Sequence, residues 1–141
     1  MSIGNIFGIA GTALNAQMTR MNATASNLAN ADTVAGSDAE AFRAKRAVFK
    51  ALLSKEMTHA GAPHVGGVKV DRMTQTDAPI QPIYDPSNPL ADANGYVYPS
   101  NVNEVTEMVE MMAASRSYQN NVEVVNTARQ LMLRTLEITK A

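Results

Sequence analysis

Apolar residues recur at alternating spacings of three and four along residues 101–139, a stretch without proline or glycine. This spacing places them on one side of an α-helix. Asn101 with Glu104 three positions later resembles a capping box. Acidic residues gather at the start and basic residues at the end, which complements the helix dipole. We therefore predict one helix, with an apolar line through Met108, Met111, Ser115, Tyr118, Val122, Val125, Arg129, Met132 and Leu136.

The N-terminal stretch carries a second line of the same kind. Four large apolar residues lie seven positions apart, at Phe7, Leu14, Met21 and Leu28, with Gly11, Met18 and Ala25 at the offset positions. Such a repeat is typical of a coiled-coil seam. Gly8 and Gly11 either let a partner helix approach closely or leave the first turns frayed.

The two lines predict an interface between subunits. The C-terminal helix would be about 58 Å long, which exceeds the diameter of a compact domain of 141 residues. Its apolar line therefore needs cover from the N-terminal helix and from neighbouring subunits. The predicted interface residues are Phe7, Leu14, Met18, Met21, Leu28, Met108, Met111, Tyr118, Val122, Val125, Met132 and Leu136.

The segment NLANADT, residues 27–33, predicts the end of the N-terminal helix. Asn30 tolerates the left-handed conformation that ends many helices. Asp32 and Thr33 can bond nearby backbone groups and turn the chain away. We assign this stop-and-turn role to Asn27, Leu28, Ala29, Asn30, Asp32 and Thr33.

All six prolines lie between residues 63 and 99, so the middle of the chain is hostile to helix. β-Branched residues alternate after a glycine pair and predict a strand near residues 65–75. Asn94-Gly95 predicts a tight turn, and YVY after it an extended piece. Residues 42–57 allow either a helix or an extended start.

These elements predict a mainly α fold. Long N- and C-terminal helices pair as a coiled coil, and a small irregular region containing β-structure lies between them. In domain terms, residues 1–33 and 101–141 form one helical domain, and residues 34–100 form an extended, β-hairpin segment.

Composition narrows the function. There is no Cys, so disulfides and thiol chemistry are excluded. With 12 basic and 13 acidic residues, the chain has no excess of positive charge that would indicate nucleic-acid binding. No stretch reaches the ~18 apolar residues that cross a bilayer, so we expect no membrane insertion. No Lys or Arg precedes the apolar start, so we also expect no cleaved signal peptide.

Candidate chemistry is sparse. His59 and His64 allow a metal pair, but an exposed loop is the better interpretation because no carboxylate lies within it. Asp77, Asp85 and Asp92 allow an acid–base pair, although their neighbours favour turns. Without a phosphate-binding loop or nucleophile elbow, we expect no enzyme, catalytic residue, cofactor or metal.

The N-terminal run GTALNAQMTRMNATASNLANADT resembles the motif of the bacterial flagellar axial proteins, the rod and hook group. NVNEVTEMVEMMAASRSYQNNVEVVNTARQLMLRTLEI resembles the C-terminal end of the same group. Between them, IYDPSNPLADANGYVYPSNVN is similar to a segment of proximal rod proteins. The resemblance covers residues 6–138.

This resemblance implies a structural subunit of the flagellar basal-body rod, whose terminal helices pair and polymerise into a hollow drive shaft and export channel. The implied partners are copies of itself, other rod subunits, the protein at the junction of the rod base and the MS ring, and the flagellar type III export apparatus. The implied location is the periplasm-spanning rod, reached without a cleaved signal. The alternative is a soluble helical homo-oligomeric adaptor or scaffold.

Overall fold

The computed structural model describes residues 3–52 and 66–140, with two helices and five strands in these ranges. Both helices are long, of 27 and 37 residues, and the prediction of a mainly α fold with a β-containing middle is confirmed. In chain order the elements are α1 (Ile3–Ala29), β1 (Val34–Ala35), β2 (Lys45–Ala51), β3 (Val68–Gln75), β4 (Ile83–Tyr84), β5 (Tyr96–Pro99) and α2 (Glu104–Lys140).

The chain divides into two compact units. Unit 1 comprises Met1–Thr19, Val48–Arg72 and Ala113–Ala141, and unit 2 comprises Arg20–Ala47 and Met73–Met112. Each helix, and the sheet of β2 and β3, contributes residues to both units.

In unit 1, Thr12 of α1 fixes the β2–β3 sheet to the helix. Its hydroxyl donates a hydrogen bond to Ile9 O at 2.7 Å and accepts one from Val68 N at 3.2 Å. Gly67 makes this approach possible, because a Cβ atom there would lie 2.8 Å from Thr12 Oγ1. Gly67 also has φ = 137°, which L side chains rarely adopt. The strand expected near residues 65–75 is confirmed as β3.

In unit 2, β5 is the central strand of a three-stranded antiparallel sheet. Val34 of β1 pairs with Pro99, Ile83 of β4 pairs with Val97, and Val97 is buried. The predicted turn precedes β5: Gly95 has φ = 82°, and its N–H donates to Asp92 O at 3.0 Å. The predicted extended YVY is thus a strand inside the sheet.

Residues 45–51, for which sequence left helix and strand open, form strand β2. Pairing with β3 decides the outcome. The local propensities for helix and strand are similar, and the hydrogen bonds to β3 form only when this segment is a strand. Ala44 O accepts from Thr76 N at 2.8 Å, and Gly67 O accepts from Leu52 N at 2.9 Å. Residues 53–57 of that stretch lie outside the described ranges.

Helix α1 ends at Ala29, within the segment predicted to stop it, but the expected left-handed residue is absent. No residue other than glycine has positive φ in the described ranges, so the left-handed conformation expected at Asn30 is wrong. Instead, Asn30 Nδ2 donates to Ser26 O at 2.7 Å, and Asn30 O accepts from the Thr33 hydroxyl at 2.7 Å. A left-handed residue is unnecessary because the amide side chain satisfies a terminal carbonyl.

The capping residue of α2 is also corrected. Asn103, not Asn101, accepts the hydrogen bond from Thr106 N, at 2.9 Å, as an N-cap does. Asn101 instead accepts from Ala44 N at 2.7 Å and donates to Thr76 O at 2.9 Å. Its amide therefore joins two backbone segments of unit 2. Neither described helix has a segment that is long and apolar enough to span a bilayer.

The contact at Thr12 gives a test of the fold. We expect Gly67→Ala to destabilise the protein by roughly 1–3 kcal/mol, because the new methyl group meets Thr12 and the backbone is strained. Gly11→Ala is the matched control, since a Cβ there meets nothing within 4 Å. It should stabilise α1 by about 0.5–1 kcal/mol. Urea denaturation measures both, and equal shifts in the same direction would contradict the assignment.

The turn between β4 and β5 gives a pH prediction. The Ser87 hydroxyl donates to Asp85 Oδ1 at 2.6 Å, and this bond lowers the pKa of Asp85 below its ordinary 3.8. A lowered pKa means that ionised Asp85 stabilises the folded turn above pH 3.8, and that this contribution is lost as pH falls through the lowered pKa. NMR shifts of the Ser87 and Gly95 amides should report the transition. Asp85→Asn should abolish it.

Candidate functional site

The predicted interface residues lie on helix faces that the chain covers only in part. None of the twelve is fully buried. The exposed ones include Met108, with half of its surface accessible. The exposed residues are Met18, Met108, Val122, Met132 and Leu136, and the half-buried residues are Phe7, Leu14, Met21, Leu28, Met111, Tyr118 and Val125.

The buried helix positions carry small or polar side chains instead. On α2, Glu107, Ala114 and Ala128 are buried at multiples of seven residues, each one position before Met108, Ser115 or Arg129 of the predicted line. One position is a rotation of about 100° around a helix. The buried positions of α1 are of the same kind: Ala10, Ala16, Ala23, Thr24 and Asn27.

Side-chain size explains this arrangement. Alanine lets a neighbouring segment approach the helix backbone closely, whereas methionine, leucine and tyrosine hold it away. The large apolar residues therefore lie beside the buried faces. Because the periodicity of the sequence is set by these larger side chains, it does not locate the buried face itself.

Asn27 connects three segments of unit 2. Its side chain is completely buried and exchanges two hydrogen bonds with Lys45: Oδ1 accepts from Lys45 N at 2.8 Å, and Nδ2 donates to Lys45 O at 2.9 Å. Nδ2 also donates to Glu107 Oε2 at 3.0 Å. One amide thus joins α1, β2 and α2. The sequence predicts for Asn27 only a role in ending the helix and turning the chain.

Glu107 is the completely buried carboxylate in this cluster. An isolated buried carboxylate is costly, so it requires charged or polar partners. Its Oε1 pairs with Arg46 Nη2 at 2.5 Å, and its Oε2 accepts from Asn27. One turn further along α2, Glu110 forms an ion pair with Arg20. The sequence accounts for Glu107 and Glu110 only as acids that complement the helix dipole. In the structure, each of them pairs with a specific arginine.

A sequence signal for one of these partners exists. Arg20 is the only charged residue among residues 1–31. A lone charge on an otherwise uncharged helix indicates a defined partner, and the structure supplies Glu110. No equivalent signal identifies Asn27, because its spacing within NLANADT also suits a helix end.

An open apolar groove lies in unit 1. It has a volume of about 370 Å³ and is lined by Ile6 of α1 with Val124, Ala128 and Leu131 of α2, beside Asn120, Glu123 and Thr127. Such a groove accommodates an apolar side chain rather than a polar substrate.

The other residues considered for acid–base or metal chemistry have structural positions. Asp85 and Asp92 stabilise turns, since Asp85 accepts a hydrogen bond from the Ser87 hydroxyl and Asp92 accepts one from Asn94 N. Asp77 is exposed. Within the parts of the chain that the structure describes, no three His, Asp or Glu side chains lie close enough to hold a metal ion. His59 and His64 lie outside these parts.

The two helices match known flagellar families. Residues 7–36 match the family described as flagella basal body rod protein. Residues 93–138 match the family described as flagellar basal body rod FlgEFG protein C-terminal. The fold and these matches define a protein of the flagellar basal-body rod class.

Relatives that match over nearly the whole chain identify the family within this class. The chain is 51% identical to the flagellar basal-body rod protein FlgC of Salmonella typhimurium, over 98% of both chains. It is 49% identical to FlgC of Yersinia enterocolitica, also over 98% of both, and 32% identical to FlgC of Bacillus subtilis, over 99% of this chain and 100% of the relative. The chain belongs to the FlgC family of flagellar basal-body rod proteins. It is a structural protein of the rod and not an enzyme, as the sequence predicted.

The Asn27 cluster predicts a large stability loss. Asn27→Ala removes the partner of both Lys45 backbone groups and one partner of buried Glu107, so we expect a loss of roughly 2–4 kcal/mol in the free energy of unfolding. The matched control is Asn22→Ala, an exposed change in the same helix. It should alter stability by less than about 0.5 kcal/mol. Similar losses in both variants, measured by urea denaturation, would contradict the assigned role of the Asn27 hydrogen bonds.

Proposed function

We propose that this rod protein polymerises through its terminal helices, which pair as a coiled coil, into a hollow shaft that also serves as an export channel. Asn27 with Glu107 and Arg20 with Glu110 support the pairing, because each hydrogen bond or ion pair joins α1 to α2 in unit 2. The order of these contacts along the two helices is antiparallel.

One observation carries the proposal: large apolar residues follow α2 at heptad-like spacing and remain exposed. Val122 and Met132 lie in unit 1, Met108 lies in unit 2, and all three expose more than a third of their surface. Burying a large apolar side chain contributes about 1.5–3 kcal/mol. Several such residues covered by neighbouring subunits would offset the entropy lost on assembly.

The twelve predicted interface residues form the contact surface in this proposal. A contact between two different surfaces that does not close a ring produces a helical tube. Residues 1–33 and 101–141 would act as the axial coiled-coil domain, and residues 34–100 as a separate middle segment.

Membership of the FlgC family supports further parts of the proposal. The partners are copies of this chain, other rod subunits and the junction protein between the rod base and the MS ring. The flagellar type III apparatus exports the chain without a cleaved signal, and the rod it joins spans the periplasm. The chain binds no nucleic acid and does not insert into a membrane.

Polar replacements on α2 test the proposal. Val122→Gln with Met132→Gln keeps good helix formers and removes two exposed apolar side chains of the predicted interface. We expect self-association, measured by sedimentation velocity, to weaken at least about 100-fold. Electron microscopy should show tubes for the original chain. A strain that lacks this protein should not regain motility with the variant.

The matched control is Phe49→Gln with Met73→Gln. Both residues are exposed, and they lie on strands β2 and β3, outside the predicted interface. This control should self-associate normally and restore motility. Equal defects in both variants would contradict a specific interface. A discrete small particle for the original chain, in place of tubes, would favour a helical adaptor.

A further inference from the structure

The two units of the chain carry opposite net charges. Unit 1 contains eight Lys or Arg and four Asp or Glu residues, a net charge of +4. Unit 2 contains four basic and nine acidic residues, a net charge of −5. The net charge of −1 for the whole chain hides this segregation.

Inside unit 2, the basic residues are already engaged. Arg20 pairs with Glu110, Arg43 with Asp38, and Arg46 with Glu107. Lys45 Nζ lies 5.5 Å from the centre of the Phe42 ring. The remaining acids therefore set the surface charge. Asp32, Glu40, Asp77 and Glu104 are exposed and form no ion pair within residues 3–52 and 66–140.

Unit 1 shows the converse arrangement. Lys69, Arg116, Arg129 and Arg134 are exposed, and none has an ion-pair partner among the described residues. Arg129 and Arg134 flank the exposed Leu131, Met132 and Leu133 on α2.

Apolar residues accompany the charges in both units. In unit 2, Val105 and Met108 are exposed beside Glu104, and Ile83, Tyr84 and Leu90 are exposed in the β4–β5 region, which holds Asp85 and Asp92. From Met73 to Ser115 the chain contains six acidic residues and no Lys or Arg. The apolar area of unit 2 is thus bordered by acids alone, whereas around the apolar area of unit 1 the exposed basic residues outnumber the exposed acids Glu123 and Glu137.

We propose that association between copies is directed by this segregation: the basic, apolar surface of unit 1 in one copy binds the acidic, apolar surface of unit 2 in a second copy. The inference rests on the proposed polymerisation and adds which surface of one copy meets which surface of the next. Contacts between like units are disfavoured, because equal charges repel. Contacts between unlike units repeat without using the same surface twice, as an open assembly requires.

Ionic strength provides the first test. Stopped-flow light scattering should follow association of the full chain at about 10 mM and about 1 M ionic strength, where the Debye length is about 30 Å and about 3 Å. Association steered by opposite charges should slow by about tenfold or more at the higher ionic strength. A rate that does not fall with salt would overturn the proposal.

Two variants of equal net charge test the placement of the charges. Arg129→Gln with Arg134→Gln removes two positive charges from unit 1. Gln75→Glu with Gln81→Glu adds two negative charges to exposed positions of unit 2. Both change the net charge by −2. We expect the first variant to associate about tenfold more slowly at low ionic strength, and the second as fast as the original chain or faster.

Equal slowing in the two variants would attribute the effect to net charge and overturn the directed contact. An exchange experiment adds a second criterion. Arg129→Glu with Arg134→Glu, and Asp77→Lys with Glu104→Lys, should each fail to associate alone but should associate when mixed. Failure of the mixture would also overturn the inference. If the original chain does not associate under any condition, polymerisation itself fails, and that result differs from a loss of charge dependence alone.

Discussion

The fold of unit 2 depends on one buried carboxylate and its partners. Glu107 has no exposed surface, so the charge must be balanced inside the protein. Arg46 supplies the counter-charge, and Asn27 supplies a hydrogen bond while it pairs with the backbone of Lys45. Strand β2 and both helices thus meet at a single point. A change in the position of any one of them would leave polar groups buried without partners.

Small side chains complete this constraint along the helices. Alanine at positions 16, 23 and 114 leaves room for close packing, and the larger apolar residues are displaced to neighbouring positions. The same division separates stability from assembly. Buried alanine and polar residues hold the single chain together, whereas the large apolar residues keep accessible surface that other subunits can cover. In the assembly that we propose for this rod protein, this exposed surface forms the contacts between subunits.

Charge has a comparable division of roles. Ion pairs such as Arg20 with Glu110 join segments of unit 2, and they consume most of its positive charge. The acids that remain on unit 2 and the bases on unit 1 are exposed, where solvent weakens each one but the sum still acts at a distance. Apolar contact can then supply affinity, while the separated charges select which surfaces meet.

The sequence alone determined the two helices, strand β3 and the Asn94-Gly95 turn, because each depends on local spacing or on residues with special backbone preferences. It also identified the family class from motifs at both ends. Tertiary structure decided which helix face is buried, since periodicity records apolar character but not how closely a neighbour approaches. It made residues 45–51 a strand through pairing with β3. It also moved the cap of α2 to Asn103 and gave Asn27 its buried role, because such hydrogen bonds depend on partners distant in sequence.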